Sequence, residues 1–264
     1  MSWLHAIILA IVEGITEFLP ISSTAHMKFT NPLIGVPNNS FVNLFEIIIQ
    51  LAAILAVVVI YWKKFVDFKR ISFYTKLIVA VIPALIVGFL LKKHIDTALD
   101  NLYFIASVMI GGGIILLFID KVFTNPQVDQ EEKITMKQSF IIGCFQTLSI
   151  VFPGLSRSAA TIIGGMSQKL NRGLAAEFSF LLAVPTMFAA SVKSFYDVYK
   201  TDPSVLSSSN MGTLGIGCIV SFIVALFAVK FFIGYLQKHG FKIFGYYRIV
   251  VGFTILILLF LKLI

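Results

Sequence analysis

Charged residues are scarce in this chain of 264 residues, of which only 13% are Asp, Glu, Lys or Arg. A soluble domain needs about a quarter of its residues charged to cover its surface with polar groups. Hydrophobic residues make up 58% of the chain, and the mean hydropathy is +0.93. This composition excludes a soluble protein and predicts an integral membrane protein.

Cysteines, a signal sequence and a nucleic-acid-binding pattern are also scarce or missing. The two cysteines, Cys144 and Cys218, lie far apart in apolar segments, which predicts buried packing residues rather than a disulfide or a metal site. The first residues lack a basic region and a small-residue cleavage site, so we expect no cleaved signal peptide. The net charge of +8 lies in loops without a basic stripe between aromatic residues, which argues against nucleic-acid binding.

The chain is dominated by long apolar segments. Six of them are long enough to cross a bilayer, which needs about 17 to 25 residues. They lie near residues 43–62, 75–92, 102–119, 174–193, 212–236 and 244–263. Two further apolar segments, near 3–35 and 138–168, are broken by Pro20 and by Pro153 with Gly154. Their halves are too short to span a membrane, so we interpret each segment as a re-entrant helical hairpin.

The two broken segments carry the same pattern. The first reads EGITEFLPISSTAH from Glu13, and the second reads QTLSIVFPGLSRSAAT from Gln146. A shift of 133 residues aligns the two prolines and places Ser23 on Ser156. A break of this kind within lipid leaves unpaired N–H groups that protein or a ligand must satisfy, so the repeated pattern indicates a site.

Three apolar spans follow each broken segment. We therefore predict an all-α integral membrane protein with six transmembrane helices and two re-entrant helical hairpins. It forms a single membrane domain, 1–264, made of repeats 1–120 and 138–264. An odd number of crossings separates the copies, which predicts an inverted repeat with its site at the interface between the halves, near the middle of the membrane.

Lys and Arg are distributed unequally between alternate loops, which predicts the orientation. The connections 63–76, 120–138, 166–174 and 230–243 hold thirteen basic residues, and the opposite connections hold six. We therefore expect the first set in the cytoplasm. Both termini and the mouth of the first hairpin then face outward, while the second hairpin enters from inside.

Carboxylates at membrane depth are the first candidates for chemistry. Glu13 and Glu17 are four residues apart, so they lie on one face of a helix. Two carboxylates in apolar surroundings indicate a cation between them or a proton on one of them, unless water at a helix mouth solvates both. We expect Gln50 to bridge helices and Glu46 to support the site.

Hydroxyl side chains follow the first proline directly. Ser22, Ser23 and Thr24 are predicted to cap the next half-helix, a role that such residues also have in proteins without any activity. His26 lies three residues after Ser23 on the same helical face, where an imidazole and a hydroxyl can approach each other and the glutamates. A purely structural histidine is the alternative.

Arg157 is the candidate for binding an anion in the second segment. An arginine at the start of a half-helix adds a permanently charged fork to free backbone N–H groups, which together suit a phosphate. The alternative is a structural ion pair with one of the two glutamates, and this pairing can coexist with function. Gly154 permits a tight turn, and Ser156 and Ser158 can cap the following helix.

Both motifs together are similar to those of a known family. The E-x-x-x-E and P-x-S-S-T-x-H pattern with PGLSRSAAT resembles the signature motifs of undecaprenyl pyrophosphate phosphatases of the bacitracin-resistance (BacA) family. The resemblance continues through FEIIIQLAAILAVV and EFSFLLAVP and covers essentially the whole chain. It implies a bacterial inner-membrane enzyme that removes the terminal phosphate from the C55 polyprenyl diphosphate and regenerates the monophosphate carrier for cell-wall synthesis. It also implies a divalent cation, Mg or Ca, and an active site reached from the outer face.

The resemblance and the residue chemistry together assign expected roles. The expected catalytic residues are Glu17, Ser23, His26 and Arg157, and the expected metal ligands are Glu13 and Glu17. The residues expected to bind substrate are Ser22, Thr24, Gly154, Ser156, Arg157, Ser158 and Thr161. Ser23 is the predicted nucleophile, with Glu17 as base and His26 as acid or base, while direct attack by water and a phospho-histidine route stay open. Gln146 at the position of Glu13 suggests that the second segment binds phosphate while the first does chemistry.

A membrane transporter or polyprenyl-phosphate flippase with the same site is the alternative function, because inverted repeats with broken helices are a transporter architecture. A carrier needs no cluster of Ser, His and carboxylate, whereas hydrolysis does, so the motifs favour the enzyme. The expected partners are the polyprenyl diphosphate substrate and membrane lipids. Metal identity, prenyl chain length and oligomeric state, with a homodimer as one alternative, stay open.

Overall fold

The computed structural model describes residues 1–264, except for the side chain of Gln237, and is built from helices joined by short connections. Within these residues the α-helices are α1 (Trp3–Thr16), α2 (Ser23–Leu33), α3 (Ser40–Ile60), α4 (Trp62–Val66), α5 (Ile71–Leu90), α6 (Lys92–Leu99), α7 (Leu102–Val122), α8 (Met136–Val151), α9 (Arg157–Ser167), α10 (Arg172–Thr201), α11 (Ser208–His239) and α12 (Lys242–Phe260). Two short 3₁₀ turns, Glu131–Lys133 and Pro203–Leu206, complete the described elements. The predicted all-α fold is confirmed.

Six helices are long and apolar enough to cross a membrane: α3, α5, α7, α10, α11 and α12. Each coincides with one of the six predicted apolar runs. The half-helices α1, α2, α8 and α9 have 11 to 16 residues. At 1.5 Å per residue they extend about 17 to 24 Å, less than the hydrocarbon thickness of about 30 Å. The breaks lie where predicted, and the re-entrant course of the two hairpins stays a prediction.

Four helix contacts show the same pattern in both halves of the chain. Replacing each helix by its counterpart in the other half gives the same four pairs. Helix α1 packs on α11 and α8 packs on α5, while α3 packs on α10 and α7 packs on α12. The first two contacts are close because each uses a glycine. A Cβ at Gly14 would lie 2.8 Å from the Ser221 carbonyl oxygen, and a Cβ at Gly143 would overlap the Ala80 carbonyl. An inverted repeat would produce this pairing, and the division into repeats 1–120 and 138–264 stays a prediction.

Ion pairs connect the loops that are rich in basic residues. Lys64 contacts Glu131 at 2.5 Å and also pairs with Glu177, and Arg70 reaches Glu131 at 2.8 Å. Burial alone would lower the pKa of Lys64, but its hydrogen bonds to Glu131 and Glu177 raise that pKa above its ordinary value. These contacts hold α4, the turn before α8 and the start of α10 together.

The outer surface of the bundle is apolar, as expected for contact with lipid. Phe89 and Phe260 are 80% and 81% exposed. Both cysteines are free, but Cys144 is exposed and Cys218 is only half-buried. The prediction of buried cysteines is therefore wrong for Cys144, because α8 buries the opposite face, which includes Ile142 and Gln146.

Candidate active site

Two turns of the chain face each other inside the bundle. Residues 17–24, here called the first tip, connect α1 to α2, and residues 150–158, the second tip, connect α8 to α9. Ser22 caps α2 and Ser156 caps α9, each through its Oγ, which accepts a hydrogen bond from the N–H three residues later at 3.3 and 3.2 Å. Both caps have a positive φ, 74° and 75°, which costs about 1 to 3 kcal/mol for a residue other than glycine. The same strained cap therefore begins both half-helices.

Apolar packing and proline chemistry place the first tip. Helix α1 ends at Thr16, shortly before Pro20, which has no N–H and disfavours helical geometry in the residue before it. Phe18 is fully buried and packs edge-on against Phe180 of α10, with 5.1 Å between ring centroids. The ring contact anchors the turn to the bundle core.

The matching caps correct the sequence alignment by one residue. The shift of 133 residues paired Ser23 with Ser156, but the structure pairs Ser22 with Ser156 as caps. Gly154, with a φ of 99°, supplies one extra residue between the second proline and the cap. Ser23 therefore corresponds to Arg157, and each is the first residue of its half-helix.

Glu17 is the point where the two tips meet. Its Oε2 accepts hydrogen bonds from Ser23 Oγ at 2.5 Å and from Gln50 Nε2 at 2.8 Å, and its Oε1 accepts one from Arg157 Nη2 at 2.8 Å. The structure thus brings the predicted base, nucleophile and arginine into direct contact. Gln50 bridges from α3, as expected.

Glu13 lies one helical turn before Glu17 and is 2% exposed. Its Oε1 has no hydrogen-bond partner, and both glutamates line the same cavity. A buried carboxylate oxygen without a hydrogen-bond partner is available as a ligand for a cation. Neither at this site nor at any other do the described residues contain a group of three or more His, Cys, Asp or Glu side chains that could hold a metal. The two glutamates therefore fit Mg²⁺ or Ca²⁺ only if phosphate oxygens complete the coordination, which is how Mg²⁺ commonly binds.

His26 forms its hydrogen bonds with neither of the two glutamates. Its Nδ1 lies 2.7 Å from the Ser22 carbonyl oxygen, and its Nε2 lies 2.8 Å from the hydroxyl of Tyr247. The two rings stack with 5.6 Å between centroids. The imidazole therefore bonds to the carbonyl one helical turn earlier and to Tyr247 of α12 rather than to Ser23, and His26 is not among the residues that line the cavity, so its catalytic role stays a prediction.

The second tip divides into residues that line the cavity and residues that are buried behind it. The lining residues are Ile150, Pro153, Gly154, Ser156 and Arg157. Ser158 instead donates a hydrogen bond to the Leu19 carbonyl at 3.0 Å, and Thr161 Oγ1 lies 2.6 Å from Ser179 Oγ. Ser158 therefore joins the second tip to the first, and Thr161 joins α9 to α10.

The tips form the polar end of a cavity of about 1040 Å³. The polar groups there are Glu13, Glu17, Ser22, Ser23, Thr24, Ser156 and Arg157. Helices α5, α6 and α10 contribute an apolar wall that includes Ala84, Leu85, Phe89, Ile95, Leu99 and Met187. An ionic end beside an apolar wall suits a ligand with a charged head group on a hydrocarbon chain.

Arg248 is a functional candidate that the sequence motifs did not reveal. It is fully buried in α12, and its Nη1 donates to the carbonyls of Pro20 at 3.0 Å and Leu155 at 2.8 Å, while its Nη2 donates to Gly154 at 2.9 Å. It therefore contacts both tips from behind the cavity. The available signal was an arginine inside the apolar run 244–263, since an ionisable residue at membrane depth is expensive and usually functional.

Known proteins resemble the chain along nearly its full length. Residues 6–254 match the family described as bacitracin resistance protein BacA. The undecaprenyl-diphosphatase of Flavobacterium psychrophilum is 52% identical over 260 residues, which cover 98% of this chain and 97% of that protein. The undecaprenyl-diphosphatase of Porphyromonas gingivalis is 47% identical over 275 residues, with the same coverage of 98% and 97%. That of Campylobacter jejuni is 44% identical over 257 residues, covering 96% and 93%.

Proposed function

This chain belongs to the bacitracin resistance protein BacA family, and we propose from that membership that it hydrolyses undecaprenyl diphosphate where its two tips meet. The products are inorganic phosphate and undecaprenyl monophosphate, the lipid carrier for cell-wall synthesis. Relatives named undecaprenyl-diphosphatase match 96% to 98% of the chain, which favours the phosphatase over the carrier alternative. The convergence of Ser23 and Arg157 on Glu17, in a cavity that also has apolar lining, is the observation that carries the proposal to particular residues.

The substrate is proposed to lie with its diphosphate at the tips and its prenyl chain along the apolar wall. The first backbone N–H groups of α2 and α9 have no acceptor within their helices, and the positive ends of both helices favour an anion. Arg157 adds two parallel donors and a permanent charge. Ser22, Thr24, Gly154 and Ser156 shape the same surface.

Ser23 is the proposed nucleophile. Glu17 accepts the hydroxyl proton as Ser23 Oγ attacks the terminal phosphorus, and the bond from that phosphorus to the bridging oxygen breaks. The proton passes from Glu17 to the departing undecaprenyl phosphate, so that Glu17 is again a base when water hydrolyses the phosphoserine. Arg157 and the half-helix N–H groups stabilise the charge that develops on the phosphate oxygens. Direct attack by water activated by Glu17 is the competing route.

A divalent cation, Mg²⁺ or Ca²⁺, is proposed at Glu13 and Glu17, where it would neutralise the oxygens of the diphosphate. Both oxygens of Glu17 already accept hydrogen bonds from side chains of the site. Glu13 has a buried Oε1 without a partner. We therefore assign Glu13 as the main protein ligand and leave Glu17 free to exchange a proton with Ser23.

The enzyme is proposed to lie in the bacterial inner membrane with its cavity open to the outer face. Lys28, Lys92 and Lys193 line the cavity, and all three belong to the connections with few basic residues. The lining includes no residue from the connections with many basic residues. Because basic loops stay in the cytoplasm, this distribution supports access from outside.

Phosphate release from undecaprenyl diphosphate by the purified protein in detergent tests the proposal. We expect release that requires a divalent cation, whereas a pure carrier releases none. Ser23→Ala should lower kcat by about 10²- to 10⁴-fold if the serine route is correct. His26→Ala should have a smaller effect, because His26 contacts Ser22 and Tyr247 rather than the cavity.

Ser208→Ala provides the matched control, since Ser208 is the first residue of α11 as Ser23 is of α2, but lies outside the cavity. This variant should keep the wild-type rate. Near-normal hydrolysis by Ser23→Ala, together with its loss in His26→Ala, would show that the serine route is wrong and favour a phospho-histidine.

A further inference from the structure

The buried guanidinium of Arg248 makes four hydrogen bonds, all of them to backbone carbonyls. Its Nε donates to the Met109 carbonyl at 3.1 Å, in addition to the three bonds to Pro20, Gly154 and Leu155. A fully buried charge is stable only when hydrogen bonds offset its loss of hydration. These carbonyls are therefore held firmly, because releasing any of them would leave a donor of the guanidinium without a partner.

Three of the four carbonyls belong to residues one or two positions before the two caps. Pro20 lies in the first tip, and Gly154 and Leu155 lie in the second. In a trans peptide the carbonyl and the following N–H point in opposite directions. Because the Leu155 carbonyl points to Arg248, the N–H of Ser156 points away from it, and Ser156 lines the cavity. Arg248 thereby helps to fix the direction of one donor of the second tip, the Ser156 N–H, which has no backbone acceptor in the structure.

We infer that Arg248 is a positioning residue for the phosphatase reaction, which holds the two tips at one spacing so that Ser23 and Arg157 reach Glu17 together. The inference rests on the proposed function. Arg248 does not line the cavity, so it acts through the tips rather than on the substrate. A misplacement of about 1 Å at a reacting centre can lower the rate by about 10²-fold.

A purely structural role would be to join α7 to α12 through Met109. Substitutions of two neighbouring glycines of α7 can distinguish the structural role from the positioning role. A Cβ at Gly112 would overlap Nη2 of Arg248 and lie 3.1 Å from Leu155 Cδ1, whereas a Cβ at Gly111 meets nothing within 4 Å. Gly112→Ala therefore displaces the guanidinium without changing any charge. Gly111→Ala is the matched control on the same helix.

Steady-state kinetics and hydrogen exchange of the full-length protein in detergent test the inference. In Gly112→Ala, kcat should fall by about tenfold or more while KM changes little, since the groups that meet the transition state are displaced. The backbone amides of residues 21–23 and 155–157 should exchange faster than in Gly111→Ala. Arg248→Lys should act in the same direction and more strongly, because one ammonium group cannot replace a fork with several donors.

Two results would overturn the inference. One is wild-type kcat in both Gly112→Ala and Arg248→Lys, and the other is a loss of kcat without faster exchange at the tips. If Arg248→Lys does not fold, the two glycine variants decide alone. A wild-type protein that releases no phosphate would instead overturn the proposed function, and amide exchange at the tips would still test the role of Arg248.

Discussion

The first and second tips present different side chains on closely similar backbone. Both begin a half-helix with a serine cap at a φ near 75°. The next residue is Ser23 in the first tip and Arg157 in the second, and Glu13 in α1 has Gln146 as its counterpart in α8. The first tip therefore carries Glu17 and the proposed nucleophile, while the second carries an arginine. Under the proposed function, two turns of similar backbone divide chemistry from phosphate binding through a few different side chains.

Glu17 is what makes the two tips a single site. It accepts hydrogen bonds from the first residue of both half-helices, at 2.5 Å from Ser23 and 2.8 Å from Arg157. The same carboxylate can therefore remove a proton on one side and balance the arginine on the other. A substitution of Glu17 therefore affects both tips at once and should lower activity more than a change in either tip alone.

Glu17→Gln should have the largest effect, a fall in kcat of about 10⁴-fold, which is the upper end of the effect of a general base. The amide keeps the shape of the side chain but can neither accept the Ser23 proton nor balance the charge of Arg157. Glu177→Gln is the control, because Glu177 pairs with Lys64 outside the cavity. Phosphate release at close to the wild-type rate by Glu17→Gln would rule out the joined site described above.

Arg157→Ala should have the second-largest effect and removes the function of the second tip alone. We expect kcat/KM to fall by about 10²- to 10³-fold, as for the loss of a donor that stabilises transition-state charge. Arg157→Lys should recover part of the loss, because it restores the charge but not the planar fork. Arg172→Ala removes an arginine that pairs with Asp120 outside the cavity, and it should remain active. Equal activity of Arg157→Ala and Arg172→Ala would contradict a phosphate-binding second tip.

Much of the fold could be predicted because it depends on local features of the sequence. The lengths of apolar runs define six spans, and Pro20 and Pro153 define the two breaks, since proline lacks an N–H. The pairing of Arg157 with Glu17 is the alternative to anion binding that the sequence leaves open, because each residue lies in a motif next to a break. Local features of this kind can be recognised in the sequence without knowledge of tertiary contacts.

The contacts that sequence reasoning missed join residues far apart in the chain. His26 meets Tyr247, and Arg248 meets Pro20, across more than 200 residues. The one-residue offset at Gly154 was missed because aligned prolines suggest equal turns, whereas the positive φ of the caps is visible only in the structure. Of these, only Arg248 gave a sequence signal, its charge within an apolar span.

Glu13→Gln gives the smallest expected effect, and it makes α1 match α8 at the position of Gln146. The variant loses a charged metal ligand but keeps Ser23, Glu17 and Arg157. We expect the cation concentration for half-maximal phosphate release to rise by about 10- to 100-fold, with most of the kcat recovered at saturating cation. Gln146→Leu is the matched control, since Gln146 is buried, lines the cavity and uses its side chain to hydrogen-bond only to Thr186, at 3.4 Å. It should leave the cation requirement unchanged. An equal shift in both variants would mean that the cation does not belong to the first tip, and the division of binding and chemistry between the tips would then lose its basis.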